Sequence, residues 1–213
     1  LAGLTSSTIA YTDANGFVLD TVGGRNDLDS TGNDITITAA GPVTQAGANG
    51  EIKASGLNLL GTGSYILTQT GNDITSLAAT LTNAGAGLSF TDANTFAVTT
   101  VGSIGITTKA GDVTLVGGTG VTSSGTGTIT TTAGVDTSTA SGDVNISVSG
   151  TGNISLLAAI TTTGATHSAG NASDGGDVII STNNGTVTTA AITASGGNAT
   201  GGNGGASGDV DIT

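Results

Sequence analysis

The stretch Gly142-Asp143-Val144-Asn145-Ile146 consists of a glycine and an aspartate followed by two apolar residues that one polar residue separates. Apolar residues at alternate positions are typical of a strand with one buried face. Glycine and aspartate suit a turn, because glycine tolerates a positive φ and the aspartate side chain hydrogen-bonds to nearby backbone. The stretch therefore predicts a turn followed by a short, half-buried strand.

The same unit recurs along the chain. Its aspartates lie at intervals of 39 and 39, and then of 31, 34 and 32. Internal repeats of this kind are the signature of stacked architectures. We expect the aspartates to occupy equivalent turns and the apolar residues that follow them to form one inward-facing column. The aspartates are Asp34, Asp73, Asp112, Asp143, Asp177 and Asp209, and the column is Ile35, Val113, Val144, Val178 and Val210.

A longer duplication supports the repeats. Tyr11-Thr12-Asp13-Ala14-Asn15 returns as Phe90-Thr91-Asp92-Ala93-Asn94, at an offset of 79 in the numbering. Val22-Gly23 returns at the same offset as Val101-Gly102. Two separate motifs with one shared offset indicate an internal duplication.

Short strands and small apolar side chains favour an all-β parallel β-helix, or β-solenoid, over a string of β-sandwich domains. Weaker half-repeats lie between the main copies, so we expect coils of about 15 to 24 residues, with two coils for each of the longer repeat units. We interpret residues 1–213 as one β-solenoid segment. Longer Gly/Asn-rich loops are expected around residues 164–175 and 195–207.

The composition excludes several classes of partner. A net charge of −12 argues against nucleic acid and against docking on anionic membranes. No apolar run is long enough for a membrane span, so no membrane insertion of this segment is expected.

The hydrophobic fraction of 36% argues against disorder. The chain starts at Leu1 without a signal segment, and we interpret it as a piece of a longer protein.

No catalytic site and no cofactor site are predicted. His167 is the single histidine, and it lies in a Gly/Ser/Asn-rich segment where a solvated loop residue is expected. The repeated aspartates could suggest a β-helix glycosidase or lyase, but an identical residue in every copy is what a turn requires. Lyase chemistry would also need basic residues, of which the chain has three.

No metal site is predicted either, although calcium between stacked aspartate turns stays open. The segment Gly204-Gly205-Ala206-Ser207-Gly208-Asp209-Val210-Asp211 is similar to a calcium-binding nonapeptide but departs from it at Ser207 and Asp211. Ice binding would require an uninterrupted array of Thr-x-Thr pairs. The pairs Thr36/Thr38, Thr126/Thr128 and Thr186/Thr188 are irregularly spaced, so the sequence does not predict such an array.

The chain resembles filamentous-haemagglutinin-like and autotransporter-type bacterial surface proteins. The resemblance rests on Thr91-Asp92-Ala93-Asn94, on Phe96-Ala97-Val98-Thr99-Thr100-Val101-Gly102 and on Gly111-Asp112-Val113-Thr114-Leu115. It covers nearly the whole chain as a style of repeat, and it supplies no functional residues. It implies a right-handed parallel β-helix at the extracellular cell surface, with roles in adhesion, cell–cell contact or matrix building.

The expected function is therefore a non-enzymatic, extracellular structural and adhesive repeat module that builds a fibre or matrix. Its expected partners are further copies of itself, through end-to-end β-stacking, and cell-surface glycans or matrix. The alternatives are a glycan- or ligand-binding solenoid module and a calcium-stabilised surface repeat. Aromatic platforms for sugars are sparse, since the aromatic residues are only Tyr11, Phe17, Tyr65, Phe90 and Phe96.

Overall fold

The computed structural model describes residues 1–5, 7–47, 49–135 and 139–213. Every regular element in these ranges is a β-strand. No helix in the described part of the chain is long and apolar enough to cross a membrane. The strands are β1 (Gly3–Leu4), β2 (Ile9–Asp13), β3 (Phe17–Leu19), β4 (Leu28–Ala39), β5 (Val43–Gln45), β6 (Ile52–Gly61), β7 (Tyr65–Leu67), β8 (Asp73–Ala84), β9 (Leu88–Asp92), β10 (Thr95–Val98), β11 (Thr100–Val101), β12 (Ser103–Ile104), β13 (Ile106–Lys109), β14 (Val113–Gly117), β15 (Gly120–Ser123), β16 (Ile129–Thr132), β17 (Val144–Val148), β18 (Asn153–Leu156), β19 (Ile160–Thr161), β20 (Val178–Thr182), β21 (Val187–Thr189), β22 (Ile192–Thr193) and β23 (Val210–Ile212).

The strands form two large parallel sheets and one antiparallel hairpin, β11–β12. An eight-stranded sheet has the order β23-β20-β17-β14-β9-β7-β5-β3. A thirteen-stranded sheet contains the remaining strands. From β9 onward the chain visits the eight-stranded sheet once and the larger sheet twice in each circuit, always in the same direction. This is the arrangement of a parallel β-solenoid.

The larger sheet divides into two faces in the later coils. Face 1 contains β10, β15, β18 and β21, and face 2 contains β13, β16, β19 and β22. Strand β8 joins them, because Ser76 and Leu77 pair with β10 whereas Ala79, Thr80 and Leu81 pair with β13. The eight-stranded sheet is face 3. Each coil from β14 onward therefore has three short strands, and the coil that begins at β9 also contains the hairpin β11–β12. Strands β4, β6 and β8 each run across faces 1 and 2 as one element.

An apolar column runs through all eight strands of face 3. In order it contains Phe17, Val43, Tyr65, Leu88, Val113, Val144, Val178 and Val210. The predicted column of Val113, Val144, Val178 and Val210 is confirmed, but Ile35 was wrongly assigned to it. Ile35 is buried in the larger sheet, where it pairs with Leu57.

The equal spacing of the first three aspartates does not correspond to the coils. Successive members of the face 3 column are separated in the numbering by 26, 22, 23, 25, 31, 34 and 32. The last three intervals between aspartates, from Asp112 to Asp209, each equal the length of one coil. Asp34 and Asp73 do not lie at this corner, because they are in the larger sheet, where Asp34 pairs with Gly56 and Asp73 pairs with Lys53. The prediction that all six aspartates share one turn is therefore wrong for Asp34 and Asp73. The coil length expected from the sequence is also too short for the later coils.

Glycine is required at the corner before face 3 because successive coils touch there through their backbones. A Cβ atom on Gly142 would overlap the carbonyl oxygen of Gly111 in the preceding coil. A Cβ atom on Gly176 would likewise overlap the carbonyl oxygen of Gly142, and one on Gly208 would overlap the carbonyl oxygen of Gly176. The glycine of the Gly-Asp-Val unit is thus explained by close stacking.

The duplicated motif is a corner that the fold uses twice. In each copy two aromatic rings meet edge to face across the turn, with centroids 5.0 Å apart for Tyr11 and Phe17 and 5.3 Å apart for Phe90 and Phe96. In each copy the aspartate accepts the backbone N–H of the asparagine two residues later, at 2.7 and 2.8 Å. The first copy leads from the larger sheet to face 3, and the second leads from face 3 to face 1.

Replacing Val144 by aspartate tests the inward column. Val144 is fully buried between Val113 and Val178, so the new carboxylate would lie without a partner in the core. We expect Val144→Asp to lower the free energy of unfolding by more than about 3 kcal/mol, measured by denaturant titration and thermal melting. The control is Asn145→Asp on the outward side of the same strand, for which a loss under about 1 kcal/mol is expected. Equal stability of the two variants would show that the column is misassigned.

Replacing Gly142 by alanine tests the backbone contact between coils. The added methyl group would push against the carbonyl of Gly111, so we expect a loss of about 1 to 3 kcal/mol in unfolding free energy. The matched control is Gly125→Ala, because no atom lies within 4 Å of the position that its Cβ would take. If Gly142→Ala and Gly125→Ala have the same unfolding free energy, close stacking at this corner is contradicted.

Candidate functional site

Four of the repeated aspartates form a ladder at the corner before face 3. The backbone N–H of Asp143 donates to Oδ1 of Asp112 at 3.0 Å, and that of Asp177 donates to Oδ1 of Asp143 at 2.8 Å. The N–H of Asp209 donates to Oδ1 of Asp177 at 2.7 Å. Each of the first three carboxylates therefore accepts an amide proton from the next coil. This charge-assisted bond holds the turn and identifies a structural use for the aspartates.

Threonine hydroxyls close the same corner from inside the coil. Oγ1 of Thr131 donates to the carbonyl oxygen of Gly142 at 2.6 Å, and Oγ1 of Thr162 donates to that of Gly176 at 2.6 Å. Both threonines are buried. Buried polar groups need such partners because an unpaired one is costly. The Gly-Asp-Val corner is thus held on its outer side by aspartate and on its inner side by threonine.

Within the part of the chain that the structure describes, the aspartates and the histidine do not come together as a group that could bind a metal. Among the described residues there is no cluster of three or more His, Cys, Asp or Glu side chains that could hold a metal ion. In residues 204–211, the segment that is similar to a calcium-binding nonapeptide, Asp209 belongs to the aspartate ladder and Asp211 pairs with Ile179 on face 3. His167 lies on the preceding coil, where its backbone bonds to Asn198 and Thr200.

Two Gly-rich segments, residues 162–177 and 194–209, lie between face 2 and face 3 in the last two coils. They stack in register through backbone and Asx bonds. Ala172 donates to Asn203, and the amide of Ala206 donates to Oδ1 of Asp174 at 2.7 Å. A Cβ on Gly205 would overlap the carbonyl of Ser173. The glycines in these segments therefore allow the two layers to lie in contact.

A buried polar corner was not predicted from the sequence. Asn72 is fully buried, and its Oδ1 accepts the backbone N–H of Ile52 at 2.9 Å. Asp92 is 1% exposed, and its Oδ2 accepts the N–H of Ile74 at 2.9 Å. Burial raises the pKa of the Asp92 carboxyl, although the two amide donors act against this shift. Each side chain accepts a backbone amide of the preceding coil in a buried corner, so its role is structural.

Face 2 presents a continuous row of outward threonines. Thr80 pairs with Thr107, Thr107 with Thr130, Thr130 with Thr161, and Thr161 with Thr193. Ile106, Ile129, Ile160 and Ile192, which precede the last four, form the inward column behind them. Five successive coils thus place a threonine at one equivalent outward position.

A second row lies two residues further along the chain, at the ends of β13 and β16 and just beyond the ends of β19 and β22. Lys109 pairs with Thr132, and backbone bonds from Ala133 to Thr163 and from Gly164 to Ser195 continue this register. From Thr107 onward, we name the two rows together the threonine face. It contains Thr107, Lys109, Thr130, Thr132, Thr161, Thr163, Thr193 and Ser195. An open groove of about 330 Å³ lies along it, with Thr80, Lys109 and Thr132 among its lining residues.

Seven of the eight side chains of the threonine face carry a hydroxyl group, and Lys109 is the one charged residue among them. The Thr-x-Thr pairs singled out from the sequence lie elsewhere for the most part. Thr38 lies in the same row nearer the N-terminus, separated from Thr80 by Leu60. Thr126 and Thr128 lie between β15 and β16, and Thr188 lies on face 1. The dipeptide Ile-Thr, which begins β13, β16, β19 and β22 at unequal intervals, was the available signal.

Removing divalent cations tests whether the aspartate corner needs calcium. Because backbone amides already donate to Asp112, Asp143 and Asp177, we expect an excess of chelator to leave the melting temperature unchanged. A drop of about ten degrees or more, reversed by added calcium, would instead support the calcium-stabilised alternative.

Asp92 predicts a specific dependence of stability on pH. Because its pKa is raised in the folded state, protonation adds stability as the pH falls, and this contribution is lost as the pH rises through the folded pKa. The variant Asp92→Asn cannot titrate. We therefore expect the melting temperature of the parent minus that of Asp92→Asn to increase between about pH 7 and pH 4.

The exposed Asp211→Asn variant serves as a control for the loss of one surface carboxylate. A difference for Asp92→Asn that stays constant or shrinks as the pH falls would contradict the raised pKa.

Comparisons with protein-family models, with curated proteins and with solved structures give no match. The candidate site is therefore defined by residues of this chain alone. Its two surface features are the aspartate ladder, which has a structural explanation, and the threonine face, whose regularity is not explained by any bond within the described part of the chain.

Proposed function

We propose that this chain is a non-enzymatic structural and adhesive module of an extracellular surface protein. The observation that carries the proposal is the face 3 column, which keeps one register from Phe17 to Val210. Eight strands at the spacing of a parallel ladder extend over roughly 35 Å. Such a stack is a stiff rod that repeats the same outward surfaces in every coil.

We also propose that the solenoid is right-handed. Right-handed crossovers dominate wherever parallel strands of one sheet are joined, because the twist of the strands favours that path. The resemblance to filamentous-haemagglutinin-like and autotransporter-type proteins supports the same handedness. It also supports a location at the bacterial cell surface.

The aspartates support a structural role over catalysis. A catalytic pair of carboxylates needs two different environments so that one group donates a proton while the other remains ionised. Asp112, Asp143 and Asp177 instead have equivalent surroundings and the same amide donor from the next coil. Three basic residues in the sequence also leave little to bind an acidic substrate.

A ligand-binding module is the second candidate. The groove beside Thr80 and Lys109 favours it, since binding sites are usually concave. Sugar recognition commonly uses exposed aromatic rings, yet Tyr65, Phe90 and Phe96 are all buried. This weakens glycan binding relative to adhesion through an extended surface.

We expect copies of the 213-residue polypeptide, when it is expressed by itself, to associate end to end along the solenoid axis. In this polypeptide β23 pairs on one side only, with β20, and Val210 is 48% exposed. Unpaired strand edges recruit further strands. Since the net charge of −12 opposes association and salt screens it, we expect monomers at low salt and axial oligomers at high salt. Light scattering across a salt series measures this, and monomers at every salt and protein concentration would contradict it.

Adhesion is tested with beads that carry the polypeptide. Beads coated with the folded chain should be retained on cell- or matrix-coated surfaces under flow, whereas beads coated with Val144→Asp should be washed away. Equal retention of the two would overturn an adhesive role for the fold. Release of soluble sugars from polysaccharide substrates by the folded chain would show that it is an enzyme.

A further inference from the structure

We infer that the threonine face binds the surface of ice. The inference rests on the proposed adhesive function and specifies the surface to which the module adheres. In face 2, outward threonines repeat without a gap in one row from Thr107 to Thr193. The second row is less regular than the Thr-x-Thr array considered from the sequence, because Lys109 and Ser195 take the place of threonine in it. The inference therefore rests on the complete first row.

The geometry of the face is that of a two-dimensional lattice. Neighbouring coils repeat at about 4.8 Å along the solenoid, and alternate residues of one strand repeat at about 6.6 Å along the coil. The ranks Thr130/Thr132, Thr161/Thr163 and Thr193/Ser195 occupy both rows in succession. Thr130/Thr132 lies on β16, and Thr163 and Ser195 lie just beyond the ends of β19 and β22, where backbone bonds continue the register. Oxygen atoms in an ice crystal also repeat at fixed distances of this order. An extended lattice can therefore contact many hydroxyl groups at the same time.

Threonine suits this contact because its side chain is stiff. The branched Cβ restricts χ1, so equivalent residues on a parallel sheet hold their hydroxyl and methyl groups in similar positions. The buried column of Ile106, Ile129 and Ile160 fixes the strands from behind. Little conformational entropy is then lost when the face meets an ordered surface, and preorganisation of this kind raises affinity.

Charge complementarity selects a neutral surface. The chain carries fifteen acidic residues, but none of them belongs to the threonine face. Carboxylates in the contact would have to lose water, and unpaired charges pay a large cost for that. An uncharged lattice of water molecules matches an uncharged array of hydroxyl groups. The side chain that fits least is Lys109, which interrupts the second row.

A crystalline polysaccharide is also flat, neutral and rich in hydroxyl groups, but the aromatic side chains that usually support sugar binding are missing from the face. Tyr65, Phe90 and Phe96 are buried, and Tyr11 and Phe17 contact each other in the first coils. The observations therefore favour ice, and retention on an insoluble polysaccharide is an outcome of the test.

The test measures thermal hysteresis and the adsorption of fluorescently labelled protein to a single ice crystal. The parent polypeptide should adsorb to ice and shape its growth. Thr161→Tyr, which places a bulky ring in the centre of the face, should reduce both signals at least fivefold. Lys109→Thr, which completes the second row, should increase thermal hysteresis about twofold.

The matched control is Thr114→Tyr on the outward side of face 3, where Thr114 pairs with Asn145, and it should behave as the parent does. Circular dichroism checks that all variants keep the β-fold. No adsorption of the parent to ice, or equal losses for Thr161→Tyr and Thr114→Tyr, would overturn the inference. Retention on crystalline cellulose or chitin without retention on ice would also overturn it. In either case adhesion of the coated beads is decided separately, so the proposed function can stand when this inference fails.

Discussion

The spacing between coils is the constraint on which the rest of this structure depends. Backbone hydrogen bonds between parallel strands fix that spacing at about 4.8 Å. At the corners, where strands end, the coils still approach through their backbones, so Gly142 lies against Gly111 and Gly185 lies against Gly152. A side chain at these positions would separate two coils and break the ladders on all three faces. The high glycine content is therefore a direct consequence of stacking.

Polar side chains complete the hydrogen bonding that the corners interrupt. Where a coil leaves the ladder, an Asx side chain accepts the amide of the next coil, as Asp143 does for Asp177 and Asn153 does for Thr186. Threonine hydroxyls, such as that of Thr131, satisfy carbonyl groups from inside. These short polar residues serve each coil in turn. This explains a chain that is rich in Gly, Asp, Asn and Thr but has only 8% charged residues.

The sequence predicts the all-β class, the parallel stacking and most of the face 3 column, because alternation and the Gly-Asp turn are local signals. It fails where the same local signal serves different corners. The unit at Asp34 and at Asp73 reads Gly-Asn-Asp-Ile and lies at or inside long strands of the larger sheet. It differs from the Gly-Asp-Val unit at Asp143 only by the asparagine between glycine and aspartate and by the apolar residue that follows, and this small difference accompanies a different place in the fold. The early copies of the unit are equally spaced, but their spacing is longer than the early coils. In those coils the face 3 column advances by only 22 to 26 in the numbering.

The threonine face could not be read from spacing alone. Thr107, Thr130, Thr161 and Thr193 lie at intervals of 23, 31 and 32, which are unequal because the segment between face 2 and face 3 is longer in the later coils. Asn72 and Asp92 were missed for a related reason. Their side chains accept the backbone amides of Ile52 and Ile74 in the preceding coil, and only the three-dimensional register reveals these contacts.

The register of successive coils is measured most directly by engineered disulfides, since the chain has no cysteine of its own. Thr114 and Asn145 are paired outward neighbours on β14 and β17, and a disulfide requires Cα atoms about 4.4 to 6.8 Å apart. We expect the double variant Thr114→Cys/Asn145→Cys to close a disulfide under mild oxidation. We expect Thr114→Cys/Ser147→Cys, in which the second cysteine is displaced by two residues, to remain reduced. Efficient closure of the displaced pair, with the paired positions unreacted, would contradict the stacking register and the faces built on it.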